Sequence, residues 1–395
     1  MQEFYRKKTL LAHKKLIRIT TSPIALAYPL QGQPSYMKKH GYDVLLISSN
    51  GKEVSLIQKQ EICPFLAVNM TRRITPFRDL WSLYKLVKIF LKHKPDIVHT
   101  ETPKAGLLGM IAAKLCGVKI RIHTVAGLPL MVEKGFKLWL LSSIEKITYF
   151  CANHVWPNGP SMLNYIVTHK LCPQNKLSII GNGSSNGVDT YRFNRKNISI
   201  EEINILKKAI RFDNDCTYFL FVGRMVYDKG IVELVNVFEK LYISNPKLRL
   251  ILAGRFEKVL DPIPEHIEYN IINHPGITHI PWTDKVEHLM AIANFFIFPS
   301  HREGFPNVLL ESGLMKLPVV CSNIPGNIDI IQQNKTGLIF SCKNEGDLEE
   351  KIIYALQNET TVKEMSEQLH NFVYNNFSRD FFWKKMLEEY NKVSA

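Results

Sequence analysis

The chain has 395 residues, 46% of them apolar and 22% charged, with a formal net charge of +14. That length is enough for two domains, each with its own core, and the apolar share is that of a soluble globular protein. Several classes are excluded: no uncharged apolar run reaches the roughly 18 residues that would span a bilayer, no segment is of low complexity, and the seven cysteines show no paired metal spacing.

In chain order, the first residues (MQEFYRKKTLLAHKK) lack the long apolar core of a signal peptide. With cysteines that sit in or beside apolar segments, this predicts a reducing, cytoplasmic setting without disulfides or zinc. Short apolar strands then alternate with amphipathic helices: LIRIT at 16–20, DVLLISS at 43–49, FLAVNM at 65–70, DIVHT at 96–100, KIRIHT at 119–124, HVWPN at 154–158 and LSIIGNG at 177–183. The pattern is α/β and implies parallel sheets. Gly32, between Gln31 and Gln33, marks a turn after the first strand.

The excess of positive charge is confined to this half. Residues 1–190 hold 26 Lys and Arg against 10 Asp and Glu, whereas the remainder holds 24 against 26. Two segments mix lysines with apolar rings: Arg72 to Lys94, with Trp81, Tyr84, Leu86 and Phe90, and Lys134 to Tyr149, with Trp139. One reading is a pair of ordinary helices with lysines in water. The other, favoured by the asymmetry, is a face for an anionic membrane, where each lysine contributes about 1 kcal/mol. No helix-turn-helix, zinc-finger or RNA-recognition pattern is present, so no nucleic-acid partner is expected.

The Asn-, Gly- and Ser-rich stretch Asn182 to Asn197 reads as a hinge. Beyond it, strand Tyr218 to Val222 runs into Gly223, Arg224 and Lys229, ahead of a helix whose apolar positions Ile231, Leu234, Val235, Val237 and Phe238 have helical spacing. A strand from Leu248 to Gly254 and the turn His279 to Trp282 follow. The segment FPSHREGFPNVLLESGLMKLPVVCSNIPGNIDII, 298–331, is the most informative. It reads as strand, loop with Glu303, helix opening at Pro306 and containing Glu311, then strand. The free N–H groups of Gly304, Phe305, Asn307 and Val308, with the helix dipole, form a diphosphate site.

REGFPNVLLE resembles the glutamate–seven residues–glutamate motif of retaining nucleotide-sugar glycosyltransferases of family 4, which have the GT-B fold. GRMVYDKG resembles that family's Gly-Arg-x5-Lys-Gly segment with one residue fewer, and GNGSSNGVDTYRF resembles its hinge. PDIVHTETPKAGLLGMIAAKLCGVKIRIHTVAGLPLM, 95–131, is similar to members acting in bacterial polysaccharide assembly. The resemblance implies two Rossmann-like domains with parallel sheets facing a cleft, at 1–190 and 191–372, and a terminal segment 373–395 returning to the first. It implies transfer from a nucleotide-diphospho-sugar, UDP-linked, to a saccharide acceptor on a polyprenyl diphosphate, in capsule, O-antigen or exopolysaccharide synthesis, at the inner face of the membrane.

Carried over residue by residue, Arg224 and Lys229 stabilise the leaving diphosphate, Glu303 holds donor-sugar hydroxyls and Glu311 holds the ribose. Gly223 and the backbone from Gly304 through Phe305, Pro306 and Asn307 to Val308 position the donor, Gly32 approaches the diphosphate, and His279 and Ile280 meet the base. Neither metal nor cofactor is implied. The family pattern sets a His directly before the Gly of a HGLP-like segment. Here Ala126 precedes Gly127, so His123 is the first candidate for the catalytic histidine, with His99 and Glu101 behind it. An epimerase of UDP-N-acetylhexosamine and a non-catalytic sugar-nucleotide sensor are the readings from other classes.

Overall fold

Near-continuous aliphatic and aromatic runs, separated by stretches long enough for crossover helices, dictate parallel strands buried on both faces. The computed structural model, which describes residues 14–71, 75–259 and 261–395, contains two such sheets in two compact units. The N-terminal residues judged to lack a signal peptide, and Arg72 and Arg73 of the first basic segment, lie outside the described residues.

The first unit comprises Met1–Asn186 and Asp380–Ala395. Its strands are β1 (Lys14–Ile19), β2 (Tyr42–Ser48), β3 (Phe65–Ala67), β4 (Ile97–Glu101), β5 (Ile120–Val125) and β6 (His154–Pro157), in the order β3-β2-β1-β4-β5-β6. The two-residue period of a strand sends alternate side chains to opposite faces. Ile17, Ile19, Val98 and Val125 pack under helices α1 (Pro76–His93), α2 (Pro103–Leu115) and α3 (Gly135–Cys151). Leu16, Ile97, Ile122 and Trp156 pack with Phe382, Met386 and Tyr390 of the C-terminal helix (Arg379–Val393) on the other face. Each of those three helix residues contributes roughly 1.5–3 kcal/mol by burial.

The second unit, Gly187–Arg379, repeats the permutation. Strands β7 (Thr217–Val222), β8 (Leu248–Ala253), β9 (Ile277–Ile280), β10 (Phe295–Phe298), β11 (Val319–Ser322) and β12 (Leu338–Phe340) lie in the order β12-β11-β10-β7-β8-β9. The helices that matter here are α4 (Ile231–Ser244), α5 (Asn307–Leu314) and α6 (Glu359–Phe377). Gly313 lets α5 lie close on α6, since a Cβ there would stand 2.9 Å from Leu369 Cγ.

The units divide at Asn186/Gly187 and Arg379/Asp380, against boundaries of 190 and 372 read from sequence. Val188 donates to the Phe377 carbonyl (2.8 Å) and accepts from the Arg379 amide (3.0 Å), and Arg379 pairs with Asp189 at 3.0 Å. These bonds keep 187–190 in the second unit, and α6 runs through residue 372 without a break. No helix among the described residues is long and apolar enough to cross a membrane.

Candidate functional site

In an open parallel sheet, ligands bind beyond the carboxyl ends of the strands where the strand order reverses. In the second unit that point lies between β7 and β10. The loops leaving these two strands are locked together there. Gly230 has φ +68°, and a Cβ on it would stand 2.1 Å from the Pro299 carbonyl oxygen, so only glycine fits this crossing. Lys229, just before it, forms an ion pair with Glu303, and both side chains are largely shielded from solvent, at 17% and 13% exposure. The Lys229 ammonium also lies 5.7 Å from the centre of the Phe298 ring.

The neighbouring residues pair in the same way. Arg302 donates to Asp228 at 2.7 Å, and His301 Nε2 lies 2.8 Å from Glu233 Oε1 on α4. Burial is the largest single influence on the Glu233 carboxyl and raises it, but the His301 bond, a backbone hydrogen bond and the nearby Lys343 charge together hold the group below its usual value. None of Asp228, Glu233, His301 and Arg302 was singled out from sequence. The available signal was the sign pattern, with HRE in one loop matching D, K and E in the other.

Helix α5 opens at Asn307 with Pro306 as its N-cap, one residue later than the sequence reading, because Pro306 has an extended ψ of 102°. The N–H groups of Gly304, Phe305 and Val308 have no hydrogen-bond partner among the described residues. The loop after β11 closes on this turn: Gly326 has φ +87°, and a Cβ there would meet the Gly304 carbonyl at 2.6 Å. Glu311 lies one turn inside α5. Desolvation pushes its carboxyl up to about 7, although Arg192 and Arg379 act to lower it. Part of its surface remains accessible. The structure thus brings Lys229, Glu303 and the amides at the start of α5 together, with Glu311 behind them.

Arg224 pairs with a different carboxylate: its guanidinium is half exposed and lies 3.7 Å from Glu257. Gly223 ends β7, and its carbonyl would stand 1.7 Å from a Cβ on Gly254. His279 and Ile280 end β9; His279 Nε2 lies 2.8 Å from the Gly254 carbonyl, and Gly254 donates to the Ile280 carbonyl at 2.9 Å. Three strand spacings separate β9 from β10, roughly 14 Å, a span suited to a nucleoside diphosphate.

Four candidates in the first unit are corrected. His123 points to the α2 face, enclosed at 2% exposure, with Nδ1 2.9 Å from Thr100 Oγ1. A Cβ on Gly106 of α2 would come within 2.4 Å of its ring, and desolvation lowers its pKa to about 4. It is a neutral core histidine, not a group that touches substrate. His99 and Glu101 point to the opposite face, where a buried network joins them to the C-terminal helix. Arg18 donates to Tyr390 (2.7 Å) and lies 2.9 Å from His99 Nδ1, while His99 Nε2 lies 2.7 Å from Thr124. Glu101, 3.2 Å from Arg18 but off hydrogen-bond geometry, is raised to about 7 by burial against the opposing pull of Arg18. Gly32 spends its amide on Glu61 (2.5 Å) and is covered by Trp383, 2.7 Å from where a Cβ would be, so that amide is not offered to a phosphate.

The helices α1 and α3 leave large apolar groups in water. Phe77, Leu80, Trp81, Tyr84 and Leu91 are exposed on α1, and Phe136, Trp139, Ile147 and Phe150 on α3. Leu86 and Phe90, assigned with them from sequence, are core residues instead, because α1 turns its Ser82–Leu86–Phe90 stripe inward. Lys85 and Lys88 lie over the Trp81 and Tyr84 rings at 5.6 and 4.7 Å. Among the described residues no group of three or more His, Cys, Asp or Glu could hold a metal ion, and all seven cysteines are free.

Comparison with known proteins bears on the family and the fold. Residues 202–375 match the family model described as glycosyl transferases group 1, and residues 30–155 match one described as glycosyl transferase 4-like. The chain is 34% identical over 382 residues to the capsular polysaccharide biosynthesis glycosyltransferase CapM of Staphylococcus aureus, covering 96% of this chain and 98% of that protein. It is 24% identical over 344 residues to the UDP-Gal:alpha-D-GlcNAc-diphosphoundecaprenol alpha-1,3-galactosyltransferase of Escherichia coli, covering 85% and 86%. Among solved structures, a glycosyltransferase from Rickettsia africae ESF-5 superposes with a TM-score of 0.80 at 20% identity, covering 97% of this chain and 99% of that one. HepE of Anabaena, in complex with UDP and glucose, does so at 0.78 and 15%, covering 96% and 100%.

Proposed function

The chain belongs to the group 1 glycosyl transferases of family 4, and from that premise we propose that it moves a sugar, with retention of anomeric configuration, from a UDP-linked donor to a saccharide carried on a polyprenyl diphosphate. It is a glycosyltransferase of capsular or related surface polysaccharide synthesis. The observation that carries the finer reading is the shielded Lys229–Glu303 pair at the open amino end of α5.

Breaking the anomeric bond leaves a nucleoside diphosphate with added negative charge. Lys229 and the N–H groups of Gly304, Phe305 and Val308 are fixed where that charge develops, so they stabilise the transition state more than the ground state. Glu303 accepts hydrogen bonds from donor-sugar hydroxyls. Glu311 accepts from the ribose diol. Arg224 joins the diphosphate on leaving Glu257, an exposed pair with little to hold it. The backbone at His279 and Ile280 meets the base. Retention follows from attack on the face the phosphate leaves, with the phosphate oxygen taking the acceptor proton, and no protein nucleophile or metal takes part. The name of the Escherichia coli relative supports a diphosphoundecaprenol acceptor, and the UDP complex of HepE supports the uracil base. The enzyme works at the cytoplasmic face of the membrane, held there by the rings and lysines of α1 and α3.

Incubation of the protein with UDP- and GDP-sugars tests this. Expected is slow release of UDP from one donor, faster with a polyprenyl-diphosphate saccharide, and a product of unchanged anomeric configuration by NMR. Interconversion of the sugars would make the protein an epimerase. Binding with neither release nor transfer would make it a sensor.

A further inference from the structure

Three consecutive residues of the loop after β10, His301, Arg302 and Glu303, pair with Glu233, Asp228 and Lys229 around the end of β7. Only the third of these pairs meets the donor in the reading above. The first is the most enclosed, with side-chain exposures of 3% for His301 and 10% for Glu233. It also leaves His301 Nδ1 and Glu233 Oε2 buried without hydrogen-bond partners among the described residues. Two apolar side chains would fill such a seam without orphaned atoms, and a buried polar pair is weak evidence for stability alone. What the pair does supply is direction. Its bond joins the first turn of α4, which follows directly from Lys229 and Gly230, to the residue two positions before Glu303. The backbone bond from His301 N–H to the Asp228 carbonyl (2.8 Å) and the packing of Tyr227 on the His301 ring (5.4 Å between centres) continue the same join.

We propose that Glu233 and His301 are positioning residues of the transfer reaction: they set the angle between the two loops and thereby the place of Lys229 against the leaving group. This rests on the donor-site reading above. A loop free to shift by about 1 Å would lose on the order of a hundredfold in rate, so the pair acts on turnover and less on donor affinity.

The test uses the full-length protein with His301→Leu, His301→Gln and Glu233→Gln. Glutamine at 301 keeps a donor near the place of Nε2, whereas leucine removes it. Expected is a fall in kcat of at least about tenfold for His301→Leu, with donor KM changed less than about threefold, and recovery of most of the rate in His301→Gln. Amide hydrogen exchange without ligand gives an independent reading, in which residues 299–306 and 227–230 should exchange faster in His301→Leu while β7 and β10 keep their protection. Equal kcat in wild type and His301→Leu, or unchanged exchange in both loops, would overturn the proposal and reduce the pair to packing. If wild-type protein released no nucleotide from any sugar donor, the donor-site reading would fail, and the exchange arm would still decide whether the pair orients the loops.

Discussion

Replacement of Lys229 by methionine removes one charge while keeping most of the side-chain volume. Lys229 and Glu303 are both mostly shielded, so an effective dielectric of about 20 applies better than that of water. A unit of developing charge about 4 Å from the ammonium then interacts by about 4 kcal/mol. Loss of a single preorganised donor elsewhere costs roughly 10²–10³ in kcat, or about 3–4 kcal/mol, in agreement. The expected result for Lys229→Met is therefore a 10²- to 10³-fold lower kcat for UDP release at saturating donor. Glu303 would be left without its partner, so thermal melts must accompany the assay, and the double variant with Glu303→Gln should regain stability but not rate. A fall of less than about tenfold at saturating donor, with the fold intact, would refute the placing of Lys229 at the leaving group.

Glu311→Gln should raise donor KM by roughly 10- to 100-fold at pH 8, above the value of about 7 to which burial raises the carboxyl, the loss expected for hydrogen bonds to a charged acceptor, as read from initial rates. Buried Glu145 is raised by desolvation to about 7 from an ordinary 4.5. Between those values the folded chain holds a proton that the unfolded chain has released, so its contribution to stability falls as pH rises through the window. Glu145→Gln should therefore gain on wild type by up to about 3 kcal/mol at pH 8 and little at pH 5, in urea melts at both. Gly230→Ala forces a Cβ against the Pro299 carbonyl at a positive φ and should cost at least about 1–3 kcal/mol, measured by thermal unfolding. Wild type should float with anionic liposomes at low salt, and Trp81→Glu combined with Trp139→Glu should abolish this; flotation retained in the double variant would remove α1 and α3 as the membrane face.

How far the site could be read in advance depended on how local each feature is. Glu303, Glu311 and the amides of Gly304 to Val308 lie within nine residues of one strand–loop–helix unit, so their spacing in the chain is nearly their spacing in space. Lys229 needed the further assumption that β7 and β10 are neighbours, which the strand order of the sheet supplies. The position of the Arg224 side chain was less legible, because a long, exposed side chain on a loop has several partners in reach, and Glu257 holds it here. His123, His99 and Glu101 looked equivalent at strand ends, yet one residue of register sends His123 to the α2 face and His99 to the C-terminal helix, a contact between residues 291 positions apart.

Apolar spacing, glycines at required turns and one compact motif settled the α/β class, the two parallel sheets and the family, because each is written in contiguous residues. Which charges meet was settled only by tertiary packing. The partners of Lys229, Glu233 and Arg18 come from distant segments, and burial decides which of many possible ion pairs forms and what it does to the groups involved.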